Sequence, residues 1–402
     1  MYKFPKITHI DDILNAIEGK DEFILVDKGD YKVVNYVYNT DDTFPIVENN
    51  KAALLRECRG IMFDMDGQVI RRPYHKFFNI NERPETLQDD IDFNQHHYIL
   101  EKLDGSMVTP FITNWTNYGE GEGDIGSIRW ATKMGETDIS AQAQAYLKSV
   151  KKISYEYFAA EVISNDSTPI FEWCSRQNRV VIDHEEDKLV LTAIRNNWNG
   201  MYWPLSAMQA IADAHAVPVV KVFDMSANDI DSFISHTRNL VNMEGYVIRF
   251  DDGHMLKVKA DWYMRIHSFK NLISSESNVV NIIINGQLDD VISIPDILED
   301  DKIRVQKYAK EFWKVLQAEA QELGACLAAL HTEGVSRKDF ALKNIMKPLN
   351  RSLVFTLWDK DMAKTDKMTV MNAIATIIKK GSTNNKSFAK VKDEFFKELV
   401  YA

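Results

Sequence analysis

The stretch Tyr98-Ile99-Leu100-Glu101-Lys102-Leu103-Asp104-Gly105-Ser106 decides how this chain is interpreted. Its first three residues are apolar and typical of a buried strand, and Lys102 follows shortly after them. A lysine amine titrates near ~10.4, and it becomes a nucleophile only where burial or cationic neighbours lower its pKa. Gly105 would let the backbone approach another group closely. The stretch predicts a nucleophilic lysine at the end of a strand, and an exposed Lys-x-Asp-Gly turn is the alternative that these residues leave open.

Charged residues downstream of Lys102 occur in three further short patterns. Glu172 lies between two aromatic residues, Glu244 begins a Glu-Gly-Tyr-Val run, and Lys257 and Lys259 flank a valine. On a strand both of these lysines point to one face, where two like charges favour an anion between them. An amine, two carboxylates and paired lysines are the groups that adenylyl transfer requires, because the carboxylates hold a metal or a ribose and the lysines neutralise phosphates.

Two cations precede Lys102 in apolar surroundings. Arg59 begins an Arg-Gly-Ile-Met-Phe run and Lys76 begins a Lys-Phe-Phe-Asn run. An arginine can grip phosphate oxygens with two hydrogen bonds, whereas a lysine acts as a point charge. Both are therefore candidates to hold the β- and γ-phosphates of a nucleotide, and a surface salt bridge is the alternative for each. Phe77 and Phe78 are adjacent, so on a strand they face opposite ways and one of them belongs to the core.

In the order and the amino-acid sequences of these motifs, the chain resembles the RNA ligase 1 family of T-even-like bacteriophages. This family lies within the superfamily that includes DNA ligases and mRNA capping enzymes. The resemblance extends over residues 30–270, where the Ala260-Asp261-Trp262-Tyr263 string also matches. It implies an α+β fold, with a nucleotidyltransferase (ATP-grasp-like ligase) domain of antiparallel sheets and helices over residues 1–270. An all-helical domain over residues 271–402 would follow.

The resemblance also implies a reaction. ATP would adenylylate Lys102, AMP would pass to an RNA 5′-phosphate, and a 3′-hydroxyl would seal the single strand, with Mg²⁺ as cofactor and Mn²⁺ as its substitute. The implied role is RNA repair, with cleaved tRNA anticodon loops as a candidate substrate. Glu172 would contact the ribose, Glu244 the metal, and Lys257 and Lys259 the α-phosphate as catalytic residues. The implied nucleotide-binding residues are Arg59, Lys76, Phe78, Asp104, Gly105, Glu172, Glu244, Lys257 and Lys259. Glu161 ranks below Glu172 because it lacks the aromatic neighbours.

One departure from the family pattern concerns a lysine that commonly precedes a Gly-Ser-Ile run. Here Ile125 stands before Gly126 and Ser127, downstream of an acidic insert at residues 119–124. Arg129 and Lys133 are the two candidates to supply this cation from a shifted position.

Secondary-structure patterns support two regions of different character. Short β-type runs are predicted at residues 23–26, 31–38, 60–64, 180–182, 189–194 and 246–250, with helices at 139–150 and 205–214. From about Ser274 the pattern becomes helical. Apolar residues recur at helical spacing from Val305 to Leu330, Gly334 is expected to end that helix, and Ser336 to cap the next.

The net charge of −11 argues at first against a nucleic-acid partner. However, residues 331–402 hold 14 Lys and Arg against 8 Asp and Glu, so this segment is locally basic. Three scattered cysteines, Cys58, Cys174 and Cys326, indicate a reducing compartment, and the first two are expected to be buried fillers. The chain starts without a signal-peptide core and has no membrane-spanning run, so a cytoplasmic location is expected, in the host cell if the protein is viral. A monomer is also expected.

Three alternatives stay open at this stage. A DNA-nick or duplex-RNA ligase, or a capping enzyme, would share the lysine chemistry, and a non-catalytic RNA-end-binding protein would keep only the pocket. The helical region is either a structural cap or a substrate-recognition domain. In the latter case the candidate RNA contacts are Lys338, Lys343, Lys347 and Arg351.

Overall fold

The computed structural model describes residues 3–40, 42–113, 128–150, 154–342, 348–358, 367–382 and 384–401. The chain divides into two compact units, Met1–Met264 (the N-terminal unit) and Arg265–Ala402 (the C-terminal unit). The sequence predicted a boundary after residue 270, whereas the division falls within a helix that already begins at Asp261. The start of this helix is rich in aromatic residues, which are common in strands, and this explains why the sequence pattern placed the helical region too late.

The strands of the N-terminal unit are β1 (Phe23–Asp27), β2 (Lys32–Tyr36), β3 (Arg59–Phe63), β4 (Val69–Arg71), β5 (Phe78–Asn79), β6 (His97–Glu101), β7 (Ser106–Phe111), β8 (Arg129–Ala131), β9 (Ser167–Cys174), β10 (Lys188–Asn196), β11 (Val222–Phe223), β12 (Gly245–Phe250) and β13 (Met255–Lys259). Its helices are α1 (Ile10–Ile17), α2 (Asn50–Glu57), α3 (Asp138–Ser149), α4 (Ser154–Ser164), α5 (Leu205–Ala214) and α6 (Ile230–Arg238), and α7 (Asp261–Ile273) follows at its end.

The strands form three sheets in the orders β1-β2-β3-β4, β10-β9-β7-β8 and β11-β6-β12-β13-β5. Each described strand pair is antiparallel except β13 with β5. The predicted α+β class with mainly antiparallel sheets is therefore confirmed. The third sheet matters most for function, because β6, β12 and β13 are neighbours and carry Lys102, Glu244 and Lys259 at or just beyond their ends.

A buried ion cluster fixes the strands that lead to the two upstream cations. Glu57 accepts hydrogen bonds from Arg72 at 3.0 Å and from Arg195 at 2.7 and 2.8 Å, and all three side chains are almost completely buried. Two guanidinium groups bind the one carboxylate, so its oxygen atoms have hydrogen-bond donors, as a buried ion pair requires. Since Glu57 is two residues before Arg59, the cluster holds the start of β3 in place.

The strand predicted at Val180–Ile182 is wrong. These residues form bends, and the backbone N–H groups of Val181 and Ile182 donate to Asp104 Oδ2 at 2.8 and 2.6 Å. The apolar run indicated a strand because its side chains suit one, but its backbone donors bind a carboxylate instead of a neighbouring strand.

The helices of the C-terminal unit are α8 (Glu276–Ile284), α9 (Leu288–Ile292), α10 (Glu299–Thr332), α11 (Arg337–Leu342), α12 (Pro348–Leu357), α13 (Lys367–Gly381) and α14 (Asn385–Phe395). The predicted all-helical character is confirmed for the described residues. Gly334 has φ +66°, as a helix-ending glycine does, and Ser336 Oγ accepts from the backbone N–H of Asp339 at 3.1 Å. No helix in the described ranges combines the length and the apolarity needed to cross a bilayer.

The two cysteines predicted to be buried fillers, Cys58 and Cys174, are buried with free thiols.

Candidate active site

Lys102 directly follows β6, so the predicted strand before it is confirmed. Its backbone N–H donates to the carbonyl of Gly245 at 3.0 Å, which ties it to the start of the neighbouring strand β12. Gly245 has φ +138°, and a Cβ there would lie 2.0 Å from the carbonyl oxygen of Val258 on β13. Only glycine fits this close approach of three backbones, and the approach brings the ends of β6, β12 and β13 together.

The carboxylate of Glu244 joins two of the predicted site lysines. Its Oε2 lies 2.9 Å from Lys102 Nζ, and its Oε1 lies 2.9 Å from Lys259 Nζ. The Glu244 side chain is only 5% exposed, whereas those of Lys102 and Lys259 are 21% and 24% exposed. The two amines are thus partly exposed, whereas the carboxylate between them is buried.

Asp104 and Gly105 shape the loop that follows the nucleophile. Asp104 is buried and accepts three hydrogen bonds from protein groups, the third from Tyr263 Oη at 2.7 Å. A Cβ at Gly105 would lie 2.4 Å from the carbonyl oxygen of Trp173 on β9. The described geometry therefore makes both residues anchors of the Lys102 loop, and direct contact with a nucleotide stays a prediction for them.

Tyr263 is a site residue whose role the sequence analysis missed. It is the last residue of the Ala-Asp-Trp-Tyr string, and that string gave it no role. Its side chain extends from α7, and the hydroxyl group donates a hydrogen bond to Asp104. Burial, together with the charges of Glu244 and Asp104, raises its pKa, so the phenol keeps the proton that it donates. The Lys259 ammonium lies 5.3 Å from the centre of its ring.

Glu172 lies on β9 opposite Met107 of β7, beside the Lys102 loop. Burial raises its pKa to about 7, Lys102 opposes that rise, and the charge of Glu244 adds to it. Two carboxylates in one weakly solvated pocket repel each other, and a cation or a hydrogen-bond donor such as a ribose hydroxyl would relieve this. The competing acid, Glu161, is exposed at the end of α4 and pairs with His215 at 2.7 Å.

Lys257 on β13 is the site lysine whose pKa is shifted most. Burial, together with repulsion from Lys76, Lys102 and Arg59, lowers its pKa to about 7. Its ammonium lies 5.2 Å from the centre of the Phe77 ring. Lys257 is thus a cation surrounded mainly by cations, which an anion in the pocket would stabilise.

Arg59 and Lys76 meet around a residue that the sequence motifs did not single out, Tyr36 on β2. The Lys76 ammonium lies 5.3 Å from the centre of the Tyr36 ring. Burial would raise the pKa of Tyr36, but the charges of Lys76, Arg59 and Lys133 outweigh burial and lower it. Burial and the nearby Arg59 likewise lower the pKa of Lys76, although the phenol opposes this. Tyr36 therefore marks the centre of a group of cations.

Phe78 supports this group from the core. It is 2% exposed, and its ring centre lies 5.1 Å from Lys76 Nζ, 5.2 Å from the Arg56 guanidinium and 5.4 Å from that of Arg83. Phe77 is the adjacent ring that faces Lys257. The structure thus gives Phe78 a position behind Lys76, and its direct contact with a nucleotide stays a prediction.

Of the two candidates for the displaced cation, the structure brings Lys133 to the pocket. Lys133 Nζ lies 5.1 Å from the centre of the Tyr36 ring, and the Lys133 backbone packs so tightly on Gly60 that a Cβ there would lie 2.6 Å from its Cα. Arg129 instead forms ion pairs with Asp30 and Glu136. The family's Gly-Ser-Ile position, Ile125 to Ser127, and the acidic insert lie outside the described residues.

The pocket residues fit a nucleoside triphosphate and a divalent cation. Burial and the neighbouring cations lower the pKa of Lys257 to about 7, and a bound phosphate chain would raise it again. Glu172 and Glu244 offer carboxylate oxygens to a hard metal ion. No cluster of three or more His, Cys, Asp or Glu suited to a metal occurs in the part of the chain that the structure describes. Magnesium ions commonly rely on one or two carboxylates, water and substrate phosphates, so the donor set is sufficient.

The predicted RNA contacts of the C-terminal unit are only partly described. Lys338 is exposed on α11, and Arg351 on α12 lines a cavity of about 500 Å³ together with Arg337 and Phe355. Lys343 and Lys347 lie outside the described residues.

Comparisons with known proteins place this site in context. A family model described as RNA ligase matches residues 57–264, which include Lys102, Glu172, Glu244, Lys257 and Lys259. A protein of Thermovibrio ammonificans named "Putative RNA ligase" is 27% identical over 321 residues, covering 77% of this chain and 78% of that protein. RNA ligase 1 of bacteriophage TS2126 is 25% identical over 319 residues, covering 76% of this chain and 73% of that protein. Among solved structures, one form of an archaeal ATP-dependent RNA ligase has a TM-score of 0.41 at 12% identity, covering 74% of each chain.

Proposed function

The chain belongs to the RNA ligase family, and we propose that it uses ATP to join 5′-phosphate and 3′-hydroxyl ends of single-stranded RNA. The observation that carries this proposal is the position of Lys102. Its amine is partly exposed and lies 2.9 Å from Glu244, beside the crowded cations Lys257, Lys76 and Arg59. An amine that Glu244 can release, next to a group of basic side chains, suits attack on a triphosphate better than simple RNA-end binding.

The proposed reaction has three displacements at phosphorus. Lys102 Nζ bonds to the α-phosphorus of ATP, loses its proton, and the bond to the β-phosphate breaks, so that pyrophosphate leaves. An oxygen of the RNA 5′-phosphate then attacks the AMP phosphorus and displaces the lysine, which gives AppRNA. Finally the 3′-hydroxyl attacks the RNA phosphorus and AMP leaves. Positioning and charge neutralisation are the main sources of catalysis in such steps.

Glu244 must release Lys102 before the first step, because the amine in this structure is paired with its carboxylate. Glu244 is also the residue that we propose to hold Mg²⁺, or Mn²⁺ in its place, and the bound ion would neutralise phosphate charge. The second ion pair of Glu244, with Lys259, keeps the carboxylate in place when Lys102 moves away.

The remaining cations divide by position along the proposed triphosphate. Lys257 and Lys259, on one strand, would contact the α-phosphate. Arg59, Lys76 and Lys133, gathered around Tyr36, would hold the β- and γ-phosphates that depart as pyrophosphate. Removal of one such donor typically costs ~2.7–4 kcal/mol of transition-state stabilisation. Glu172, beside the nucleophile loop, would accept hydrogen bonds from the ribose hydroxyls and so favour a ribonucleotide.

We propose RNA repair as the biological role, with cleaved tRNA anticodon loops as one substrate. The C-terminal unit supports this with the cavity between α11 and α12, where Arg337 and Arg351 could contact phosphates and Phe355 could stack on a base.

The test is incubation with ATP, Mg²⁺ and a panel of 5′-phosphorylated ends, followed by separation of the products on a denaturing gel. The panel contains single-stranded RNA, single-stranded DNA, a nicked duplex and a tRNA broken in its anticodon loop. Circles or joined strands from single-stranded RNA are expected, together with AMP on Lys102. Lys102→Ala should abolish the adduct, and an adduct that survives in this variant would overturn the assignment. Sealing of the nicked duplex alone would favour duplex repair, and binding without any joining would favour the non-catalytic alternative.

A further inference from the structure

We propose that a groove next to Lys76 binds the first nucleotides of the RNA strand whose 5′-phosphate receives AMP. This inference rests on the proposed function and deepens it by assigning a place to one of the two RNA ends. A cavity of about 330 Å³ is lined by Lys3, Lys76 and Phe77 among other residues. Ligand pockets typically measure ~300–1,000 Å³, so this cavity is large enough for a small ligand group.

The cavity continues along the surface. A second cavity of about 530 Å³ is lined by Lys3, Lys6 and the residues at the start of α2, and it shares Lys3 and Val47 with the first. Lys6 Nζ lies 4.3 Å from the centre of the Trp198 ring, which is 47% exposed. We call the two cavities together with Trp198 the Lys3 groove. It leads from Lys76 to an exposed aromatic ring.

The charges of the Lys3 groove are complementary to a phosphate chain. Lys3, Lys6 and Lys76 line it, and Glu48 is the acidic lining residue that has no described ion pair. The remaining acid, Glu85, is paired with the buried Arg56. The whole chain carries a net charge of −11, so a locally positive groove stands out from the acidic background. Lysines that follow a backbone and aromatic rings that receive bases are the usual elements of single-strand binding.

The position of Lys76 indicates which strand occupies the groove. Lys76 belongs both to the groove wall and to the cation group around Tyr36, where the proposed pyrophosphate is held until it leaves. Once pyrophosphate has departed, that cation group is open to another phosphate. The next substrate is the RNA 5′-phosphate, which must reach the AMP phosphorus on Lys102. A strand lying in the Lys3 groove would present its terminal phosphate to these same cations.

Two measurements test the proposal on the full chain. The first is fluorescence anisotropy with a labelled, 5′-phosphorylated single-stranded RNA at several salt concentrations. The second is single-turnover transfer of AMP from the pre-adenylylated enzyme to the same RNA. Lys3→Ala/Lys6→Ala should weaken binding and lower the slope of log K against log salt by about 1.4, since each lost phosphate contact on a single strand contributes about 0.7. Trp198→Ala should weaken binding about fivefold or more and leave the salt slope unchanged.

The matched control is Lys20→Ala/Lys148→Ala, which removes the same charge from lysines that line neither cavity. In the groove variants the rate of Lys102 adenylylation should stay at the wild-type value while the RNA concentration for half-maximal AMP transfer rises. The proposal is overturned if the RNA dependence does not change, or if the control variant changes it equally. Failure of the proposed function would look different, because wild-type protein would then form no AMP adduct, while the anisotropy measurement would still decide whether the groove binds RNA.

Discussion

A change of pH from about 8 to about 9 should weaken nucleotide binding because Lys257 must take up a proton when phosphate enters the pocket. Burial, together with repulsion from Lys76, Lys102 and Arg59, lowers the pKa of Lys257 to about 7 in the free protein. At about pH 8 roughly nine-tenths of the Lys257 side chains are therefore neutral. Phosphate oxygens beside the amine favour its charged form, so the pKa rises toward its ordinary value in the complex.

The size of the pH effect on nucleotide affinity follows from the number of protons taken up on binding. Because the complex holds a proton that the free protein lacks, binding at about pH 8 should take up roughly 0.9 proton at this site. Affinity should then fall about tenfold, or about 1.4 kcal/mol, for each pH unit above the pKa of the free protein. Glu172, with its pKa also raised to about 7, is roughly nine-tenths ionised at about pH 8. The proposed hydrogen bonds from the ribose favour its ionised form, so binding would release only about 0.1 proton at this carboxylate.

The assay is isothermal titration calorimetry with an ATP analogue that has an uncleavable α–β linkage, in two buffers of different ionisation enthalpy. The difference in heat between the buffers counts the protons taken up. Lys257→Arg should remove most of the pH dependence because a guanidinium stays protonated throughout, and Lys148→Arg, on the exposed face of α3, should leave it intact. Equal affinity at both pH values together with no proton uptake by the wild type would refute the reasoning.

Three further predictions concern the scaffold of the site. Gly245→Ala should lower the free energy of unfolding by more than about 3 kcal/mol in a denaturant titration, because the strain of a positive φ adds to the overlap of the new Cβ with the backbone of β13. Gly29→Ala, at φ +95° with open space around its Cβ, should lower it by only about 1 kcal/mol. Equal losses in the two variants would contradict the overlap argument. Tyr263→Phe removes the hydroxyl group that donates to Asp104, so it should lower the free energy of unfolding by about 1–3 kcal/mol. It should also slow adenylylation, measured as AMP adduct formed per second. An unchanged rate would show that this anchor does not position the nucleophile. Glu57→Gln leaves two buried guanidinium groups without a carboxylate, so it should lower the free energy of unfolding by about 3–5 kcal/mol in the same titration. A loss below about 1 kcal/mol would contradict the ion-cluster interpretation.

Residues whose roles follow from strand geometry were predictable from the sequence. Alternation on β13 placed Lys257 and Lys259 on one face, and the apolar run before Lys102 predicted the strand that carries it. The antiparallel α+β class followed from the same short runs. These features depend on neighbours within a few residues, so a linear pattern contains them.

Residues whose roles depend on distant contacts were not predictable in the same way. Nothing in the sequence indicates that the Asp104 carboxylate binds backbone donors about 77 residues away and a tyrosine about 159 residues away. Tyr36 carries no motif signal, because its importance comes from the three cations that fold around it. Lys133 could be proposed only as one of two substitutes, since the choice against Arg129 depends on which side chain finds a carboxylate partner.

The distribution of charge explains how one pocket can serve successive substrates. Within the described residues, Glu244 pairs with both Lys102 and Lys259, whereas burial, together with repulsion among neighbouring cations, lowers the pKa values of Lys76 and Lys257. The described part of the pocket therefore holds cations that a bound anion would stabilise. The triphosphate of ATP would supply that anion first, and its departure as pyrophosphate would leave these cations open to another anion. An RNA 5′-phosphate arriving through the Lys3 groove would then meet the same attraction, so one group of cations can serve both substrates in turn, and Lys102 is the cation that must move, away from Glu244.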